Sequence, residues 1–222
     1  MTKDGRPSLI TDIRLFTGQR SNSHSYLDGQ HEAVAFGRRI AWLLNSEGFS
    51  LGVFPALYVL FTPSLEPGLV WVTNDGGDWW QRYVHVGMAA DVLSGPDAHG
   101  IVTRGIVDAL IALRPDQIDV IRRAEITVRE HGDGLRFLLK RRNTAKLVVE
   151  ISFNIGAWPK QSYLFIAHID KATGTYREAD PIALGTYFEG FDLVSGIRLG
   201  DAANLKEVYV RRAMSKVVKR RG

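Results

Sequence analysis

Apolar and polar residues alternate in three consecutive runs between residues 124 and 154, and no other part of the sequence restricts the fold as strongly. The runs cover residues 125–129, 135–140 and 146–153, and a Gly-Asp-Gly stretch at 132–134 separates the first two. Successive side chains of a strand point to opposite sides of its sheet, and glycine-rich pairs are typical of hairpin turns. The pattern therefore predicts three antiparallel strands with one apolar face.

Cationic side chains follow the same ribbon. By alternation, four of them lie opposite the apolar face, and two more lie at the following turn. These residues are Arg129, Arg136, Lys140 and Lys146, with Arg141 and Arg142 at the turn. Such a stripe suits phosphate or an acidic partner. The alternative is an ordinary solvated sheet face, where charged residues are the norm.

The remaining pattern indicates four helices and several further strands. Apolar residues at three- and four-residue spacing predict helices at about residues 28–46, 95–113 and 202–218, and Pro115 opens a short helix over 115–123. Asp28 is the expected N-cap of the first helix, and Ser94 with Asp97 fits a capping box before the second. Strand alternation through residues 206–212 is the alternative to the last helix.

Strand-like runs at residues 56–62, 69–73 and 80–86 are separated by turn residues and predict an antiparallel meander. Residues 162–170 are apolar on both faces, which is typical of an interior strand. Two short strands are expected at 183–188 and 193–199. Runs of strands between groups of helices predict an α+β fold, mainly antiparallel, with the helices packed on one face. We expect a single domain over residues 1–222, with a split into two lobes near 115–124 as the alternative.

Composition excludes several kinds of chemistry. The 222 residues include no cysteine, so disulfides, thiolate nucleophiles and iron–sulfur clusters are excluded, and we expect no cofactor. The net charge is +4, but residues 122–146 hold 8 basic against 3 acidic residues and residues 198–222 hold 8 against 2. The positive charge is therefore local. The polar N-terminus and the longest apolar run, nine residues that include a proline, predict no secretory signal and no membrane span, so we expect a cytoplasmic protein.

Three further motifs suggest a site. Residues 48–52 spell G-x-S-x-G, but they run from a predicted helix into a strand, whereas a nucleophile elbow runs from strand into helix. Asp75, Asp78 and His85 lie near one turn and could hold a metal ion, although their spacing matches no ligand pattern. Trp79 and Trp80 are adjacent, so on a strand they point to opposite faces and one of them could serve as a binding anchor.

These observations leave three hypotheses. The first is a non-catalytic protein that binds a protein or small-molecule partner through the basic sheet face and the Trp79 and Trp80 turn. The second is a nucleic-acid-binding protein that uses residues 129–146 and the basic C-terminal helix. The third is a metal-assisted hydrolase with Asp75, Asp78 and His85 as its site. The first is preferred because it requires no motif, and no motif passes its structural context.

Overall fold

The computed structural model describes residues 6–19, 24–73 and 81–190 of the chain. Contacts divide the chain into two compact units, Met1–Leu135 and Arg136–Gly222. The predicted α+β class is confirmed, since six of the eight strand pairings among the described residues are antiparallel. The predicted helix over 202–218 and the strand over 193–199 lie outside the described residues.

The first unit combines a five-stranded sheet with three α-helices. Its elements are β1 (Asp12–Thr17), β2 (Ser25–Tyr26), α1 (His31–Ser46), β3 (Ala56–Thr62), β4 (Val70–Val72), β5 (Gln81–Gly87), α2 (Ala98–Leu113) and α3 (Ile118–His131). The strand order is β2-β1-β3-β5-β4. Short 3-10 turns at Val92–Ser94 and Pro115–Gln117 precede α2 and α3.

The predicted meander of residues 56–86 is wrong, because β3 runs parallel to β5 and β4 pairs with β5 alone. All seven residues of β3 are buried, which is typical of a central parallel strand with both faces covered. The connection after β3 folds back onto the end of β5, where a Cβ on Gly87 would lie 1.9 Å from the carbonyl oxygen of Glu66. The turn residues of that connection therefore cross to β5 and form no hairpin with β3.

Helices α1 and α2 pack on one face of this sheet, as predicted for the helices. Gly37 of α1 approaches Ile13 of β1, and Gly105 of α2 approaches Phe61 of β3 and Val86 of β5. Strand register places these three sheet residues on the same side. The third helix contacts both α1 and α2, so all three cover the same core.

The strand predicted at residues 125–129 is wrong, because these residues belong to helix α3. Ile121, Ala124 and Val128 recur at helical spacing and are buried, whereas Ile126 is 54% exposed. Glu125 also bonds to Arg122 and Arg129, one turn away on either side, and such pairs support a helix. The stretch at 132–134 is a 3-10 turn that follows this helix, not a hairpin.

Neither predicted helix cap forms. Helix α1 begins after Gln30, not after Asp28, and α2 begins after Asp97; in both helices the N-cap makes no side-chain capping bond. The Ser94 capping box is therefore wrong, since Ser94 ends the preceding 3-10 turn. Helix α1 ends just before Gly48, whose φ of +77° is a conformation that glycine adopts most easily.

The second unit contains an antiparallel sheet. Its strands are β6 (Phe137–Asn143), β7 (Leu147–Phe153), β8 (Ser162–Asp170), β9 (Tyr176–Glu178) and β10 (Ile182–Leu184). Their order is β10-β8-β7-β6, and β9 also pairs with β8. Strand β8 is the interior strand that its two-sided apolar pattern predicts. No helix of the described chain is long and apolar enough to cross a membrane.

We predict that Gly105→Ala lowers the free energy of unfolding by about 1 to 3 kcal/mol, because the added methyl group would lie 2.6 Å from the Phe61 ring. Urea denaturation measures the change. The matched control is Gly100→Ala in the same helix, where no atom lies within 4 Å of the new Cβ, so helix propensity alone acts and stability rises by about 0.5 to 1 kcal/mol. Equal effects of the two substitutions would contradict the packing of α2 on the sheet.

Candidate functional site

Strand register in the second unit brings cationic side chains together on one face of the sheet. Arg142 of β6 lies opposite Val149 of β7, Val149 lies opposite His168 of β8, and His168 lies opposite Arg177 of β9. Directly opposed residues of antiparallel strands have their side chains on the same side of the sheet. Arg142 and Arg177 therefore share one face, with Val149 and His168 between them, and we call Arg142, His168 and Arg177 the cationic row after its two arginines.

A register shift in β6 changes the face to which its cations point. Leu138 pairs with Ser152, but the next aligned pair is Lys140 with Ile151, so Leu139 is the extra residue. Such an insertion exchanges the two faces of the sheet for every side chain of the strand that follows it. The shift corrects the predicted stripe, because Lys140 now shares a face with Ile151 and with Arg142 of the cationic row.

Arg141 lies on the other face, opposite Glu150. Its Nε lies 3.1 Å from a carboxylate oxygen of that residue. The positive charge of Arg141 is thus paired with the carboxylate of Glu150 within the sheet.

Arg129 and Arg136 do not belong to the cationic row. Arg129 lies on α3 in the first unit, where it bonds to Glu125 at 2.9 Å and its guanidinium lies 5.2 Å from the centre of the Phe36 ring. Arg136 bonds to Glu178 at 2.5 Å and covers the ring of Phe165 at 3.7 Å. Both arginines therefore stabilise packing. The prediction that all six cations lie together on one exposed surface of the ribbon is wrong.

The Arg136 guanidinium also changes the acidity of its partner. Its hydrogen bond to Glu178 is the main cause that lowers the pKa of that carboxyl group. Glu178 in turn accepts a hydrogen bond from the hydroxyl of Tyr176, and this bond raises the pKa of Tyr176. The two charges are paired, so this cluster offers no net charge to a ligand.

Two turns meet at the end of the sheet near the cationic row. The backbone N–H of Lys171 donates to the carbonyl of Lys146 at 2.9 Å, and the ammonium of Lys171 donates to the carbonyl of Thr144 at 2.5 Å. The β6–β7 turn and the β8–β9 turn are thereby tied together. The side chain of Lys146 is exposed beside them.

A cleft of about 470 Å³ opens at this end of the sheet, and we call it the turn cleft. It is lined by Leu147, His168, Asp170, Thr173, Thr175 and Arg177. His168 and Arg177 thus belong to both the cationic row and the turn cleft. Local sequence patterns do not predict this site, because its residues come from three strands, β7, β8 and β9, and from the β8–β9 turn.

Asp170 shapes the cleft by holding the β8–β9 turn. Its Oδ1 accepts the backbone N–H groups of Thr173 at 3.0 Å and Ala172 at 2.9 Å. These two bonds, with that from Thr173 the larger cause, lower the pKa of the Asp170 carboxyl group. Gly174 completes the turn with a φ of +69°.

The other predicted site residues are only partly described. Trp79, Trp80, Asp75 and Asp78 lie outside the described residues, so the Trp-rich turn and the carboxylates of the metal hypothesis stay predictions. His85 is 6% exposed, and its ring meets that of Trp71 edge to face at 5.0 Å. Within the described part of the chain, no group of three or more His, Asp and Glu residues could hold a metal ion.

Ser50 of the G-x-S-x-G stretch has a structural role. It is 8% exposed, and its hydroxyl donates to the carbonyl of Ser8 at 2.6 Å and accepts the N–H of Gly52 at 3.0 Å. The stretch joins α1 to the strands that follow, as its context predicts.

A polar cluster in the first unit is partly buried. Asp12 and Arg14 are 2.7 Å apart, and the Arg14 guanidinium lies 5.6 Å from the centre of the Tyr58 ring. Asp12 is 5% exposed and Tyr58 is 4% exposed, so neither is open to a ligand, whereas the Arg14 side chain is 34% exposed and lines a cleft of about 180 Å³. The turn cleft is larger, at about 470 Å³, and with the cationic row it is the candidate site.

Comparisons with family models, with curated proteins and with solved structures return no match for this chain.

We predict that Arg136→Ala lowers the free energy of unfolding by about 1 to 2 kcal/mol, because it removes an ion pair and uncovers the Phe165 ring. The matched control is Arg141→Ala, which removes an exposed ion pair only and costs about 0.5 kcal/mol or less. Urea denaturation compares the two. A larger loss for Arg141→Ala would contradict the packing role of Arg136.

We predict that the stabilising effect of Asp170 depends on pH. Its carboxyl pKa is lower in the folded state than the ordinary 3.8, so its contribution is complete above about pH 5 and is lost as the pH falls through the folded pKa. The difference in unfolding free energy between the wild type and Asp170→Asn should therefore shrink below about pH 4. Urea denaturation at several pH values measures it. A difference that stays constant over this pH range would refute the turn role of Asp170.

Proposed function

We propose that the protein is a non-catalytic binding protein, and that it holds an acidic partner against the cationic row and the turn cleft of its second unit. The first support is the distribution of charge between the two units. The first unit contains 12 Lys and Arg against 16 Asp and Glu, a net charge of −4, whereas the second contains 16 against 8, a net charge of +8. A basic unit attracts acidic partners over a long range and raises the rate of encounter.

The observation that carries the proposal is the state of the two arginines in the cationic row. Arg142 and Arg177 are exposed and lie on the same face of the sheet. Neither makes an ion pair within 4.0 Å of any residue in the described ranges, in contrast to Arg136 and Arg141. The charge of Arg177 nevertheless attracts Asp170 across the turn cleft and helps to lower the pKa of that carboxyl group. Guanidinium groups that are open to solvent can bind carboxylate or phosphate through paired hydrogen bonds.

An acidic protein is favoured over nucleic acid as the partner. The cationic row and the turn cleft contain no Phe, Tyr or Trp, whereas proteins that bind single strands commonly stack bases on such rings. Arg129, which the nucleic-acid hypothesis includes, lies on a helix of the first unit. The basic residues near the C-terminus lie outside the described ranges, so nucleic-acid binding through them is the second candidate.

Two parts of the sequence-based hypothesis are kept as proposals. Trp79 and Trp80, which belong to the first unit and lie outside the described residues, are kept as a separate proposed aromatic anchor, and the cytoplasm is the proposed location. No cofactor enters the proposal, since binding by charge and hydrogen bonds requires none.

We predict that the double variant Arg142→Glu/Arg177→Glu binds an acidic probe about tenfold or more weakly than the wild type, because it reverses the charges of both arginines of the cationic row. The probe is a fluorescein-labelled peptide of about 20 glutamate residues, followed by fluorescence anisotropy at about 50 mM salt. Wild-type affinity should fall as salt is added.

The matched control is Arg104→Glu/Arg123→Glu, which makes the same charge change at exposed positions on α2 and α3. Equal losses in the two double variants would mean that total charge, not the cationic row, binds the peptide, and the proposal would fail. Tighter binding of a single-stranded RNA of about 20 nucleotides at the same salt would instead favour the nucleic-acid candidate.

A further inference from the structure

The turn cleft offers several hydrogen-bond donors within one small opening. Arg177 contributes a guanidinium with five N–H groups in a planar fork, and His168 lies directly opposite it on the neighbouring strand. Both side chains line the cleft. Arg142 lies two strands away from His168 in the same row but does not line the cleft.

Two threonine hydroxyls add one more donor. Thr173 and Thr175 both line the cleft, and their Oγ1 atoms are 2.7 Å apart. Thr173 Oγ1 also accepts the backbone N–H of Thr175 at 3.2 Å. A hydroxyl carries a single hydrogen, so the contact between the two hydroxyls uses one hydrogen. The other is left to donate either to the Asp170 carboxylate, whose pKa the Thr173 side chain helps to lower, or to a bound ligand.

The carboxylate of Asp170 limits how much negative charge a ligand in the turn cleft can carry. Its carboxylate lines the cleft, and its Oδ1 is occupied by two backbone N–H groups of the turn. The negative charge repels an incoming anion, and more strongly one of about two charges, such as a phosphate group, than a carboxylate with one. The donor set therefore suits an oxyanion, and Asp170 favours a singly charged one.

We infer that the turn cleft is a subsite for one side-chain carboxylate of the acidic partner. This inference rests on the proposed function and goes further, since it names the group that is recognised. Arg177 binds both carboxylate oxygens through its fork, and a threonine hydroxyl donates to one of them. Arg142, the residue of the cationic row outside the cleft, attracts the acidic partner by its charge alone and fixes no particular carboxylate.

Substitutions that conserve charge test the subsite separately from general attraction. Arg177→Lys keeps the positive charge but loses the fork, so it should weaken binding of the glutamate peptide about tenfold. The matched change Arg142→Lys, outside the cleft, should alter affinity by less than about twofold. Thr175→Val removes a hydroxyl and should weaken binding about threefold or more, and Thr175→Ser, which keeps the hydroxyl, should restore it.

The outcomes separate the two proposals. If Arg177→Lys and Thr175→Val bind as the wild type does while Arg142→Glu/Arg177→Glu loses affinity, the subsite is overturned and the proposed function stands. If that double variant also binds as the wild type does, both fail. Thermal denaturation checks that each variant is folded, and Arg177→Lys, an exposed change, decides the question if Thr175→Val is unfolded.

Competition identifies the oxyanion. Glutarate, which resembles a glutamate side chain, should displace the labelled peptide at a lower concentration than inorganic phosphate does at equal ionic strength. Displacement by phosphate at the lower concentration would overturn the assignment to a carboxylate. Loss of the Arg177→Lys effect when glutarate is in excess would support it, because the competitor then occupies the same group.

Discussion

The register of strand β8 against its neighbours decides where the charged side chains of the second unit point. This strand pairs with β7 on one side and with β9 and β10 on the other. Because opposed residues share a face, the pairs Val149 with His168 and His168 with Arg177 build the cationic row. A shift of β8 by one residue would move His168 and Asp170 to the other face, and the row and the cleft would both be lost.

The extra residue in β6, Leu139, also decides to which face of the sheet the following cations point. Before it, Leu138 shares a face with Ser152; after it, Lys140 and Arg142 share a face with Ile151 and Val149. Without the extra residue, regular alternation would place Arg142 on the face of Glu150; with it, Arg141 lies there and pairs with that carboxylate. Two arginines adjacent in sequence therefore differ: Arg141 is paired within the sheet, and Arg142 is exposed on the opposite face.

The first unit shows why local alternation alone is a weak guide to secondary structure. Residues 125–129 satisfy a strand pattern, but they also continue a helical series of buried positions that begins at Ile121. The helix prevails because it buries Ala124 and Val128 against α1 and α2 and pairs Glu125 with arginines on adjacent turns. Burial of a shared apolar face outweighs a short alternating pattern. Strands β3 and β5 illustrate the same limit, since the sequence indicates both strands but not that they lie side by side and parallel.

The amino-acid sequence by itself determined the α+β class, the bounds of β3 and β8 and the approximate extents of α1 and α2, because these depend on periodic burial along a continuous segment. It also determined that positive charge is concentrated in the second part of the chain. Only the tertiary structure decided which cations are paired and which are open, since Arg136 meets Glu178 from 42 positions away and Arg177 shares a face with Arg142 only through three strand pairings. Long-range register and a one-residue shift have no signature in local periodicity, so the candidate site could not be recognised before the strands were placed.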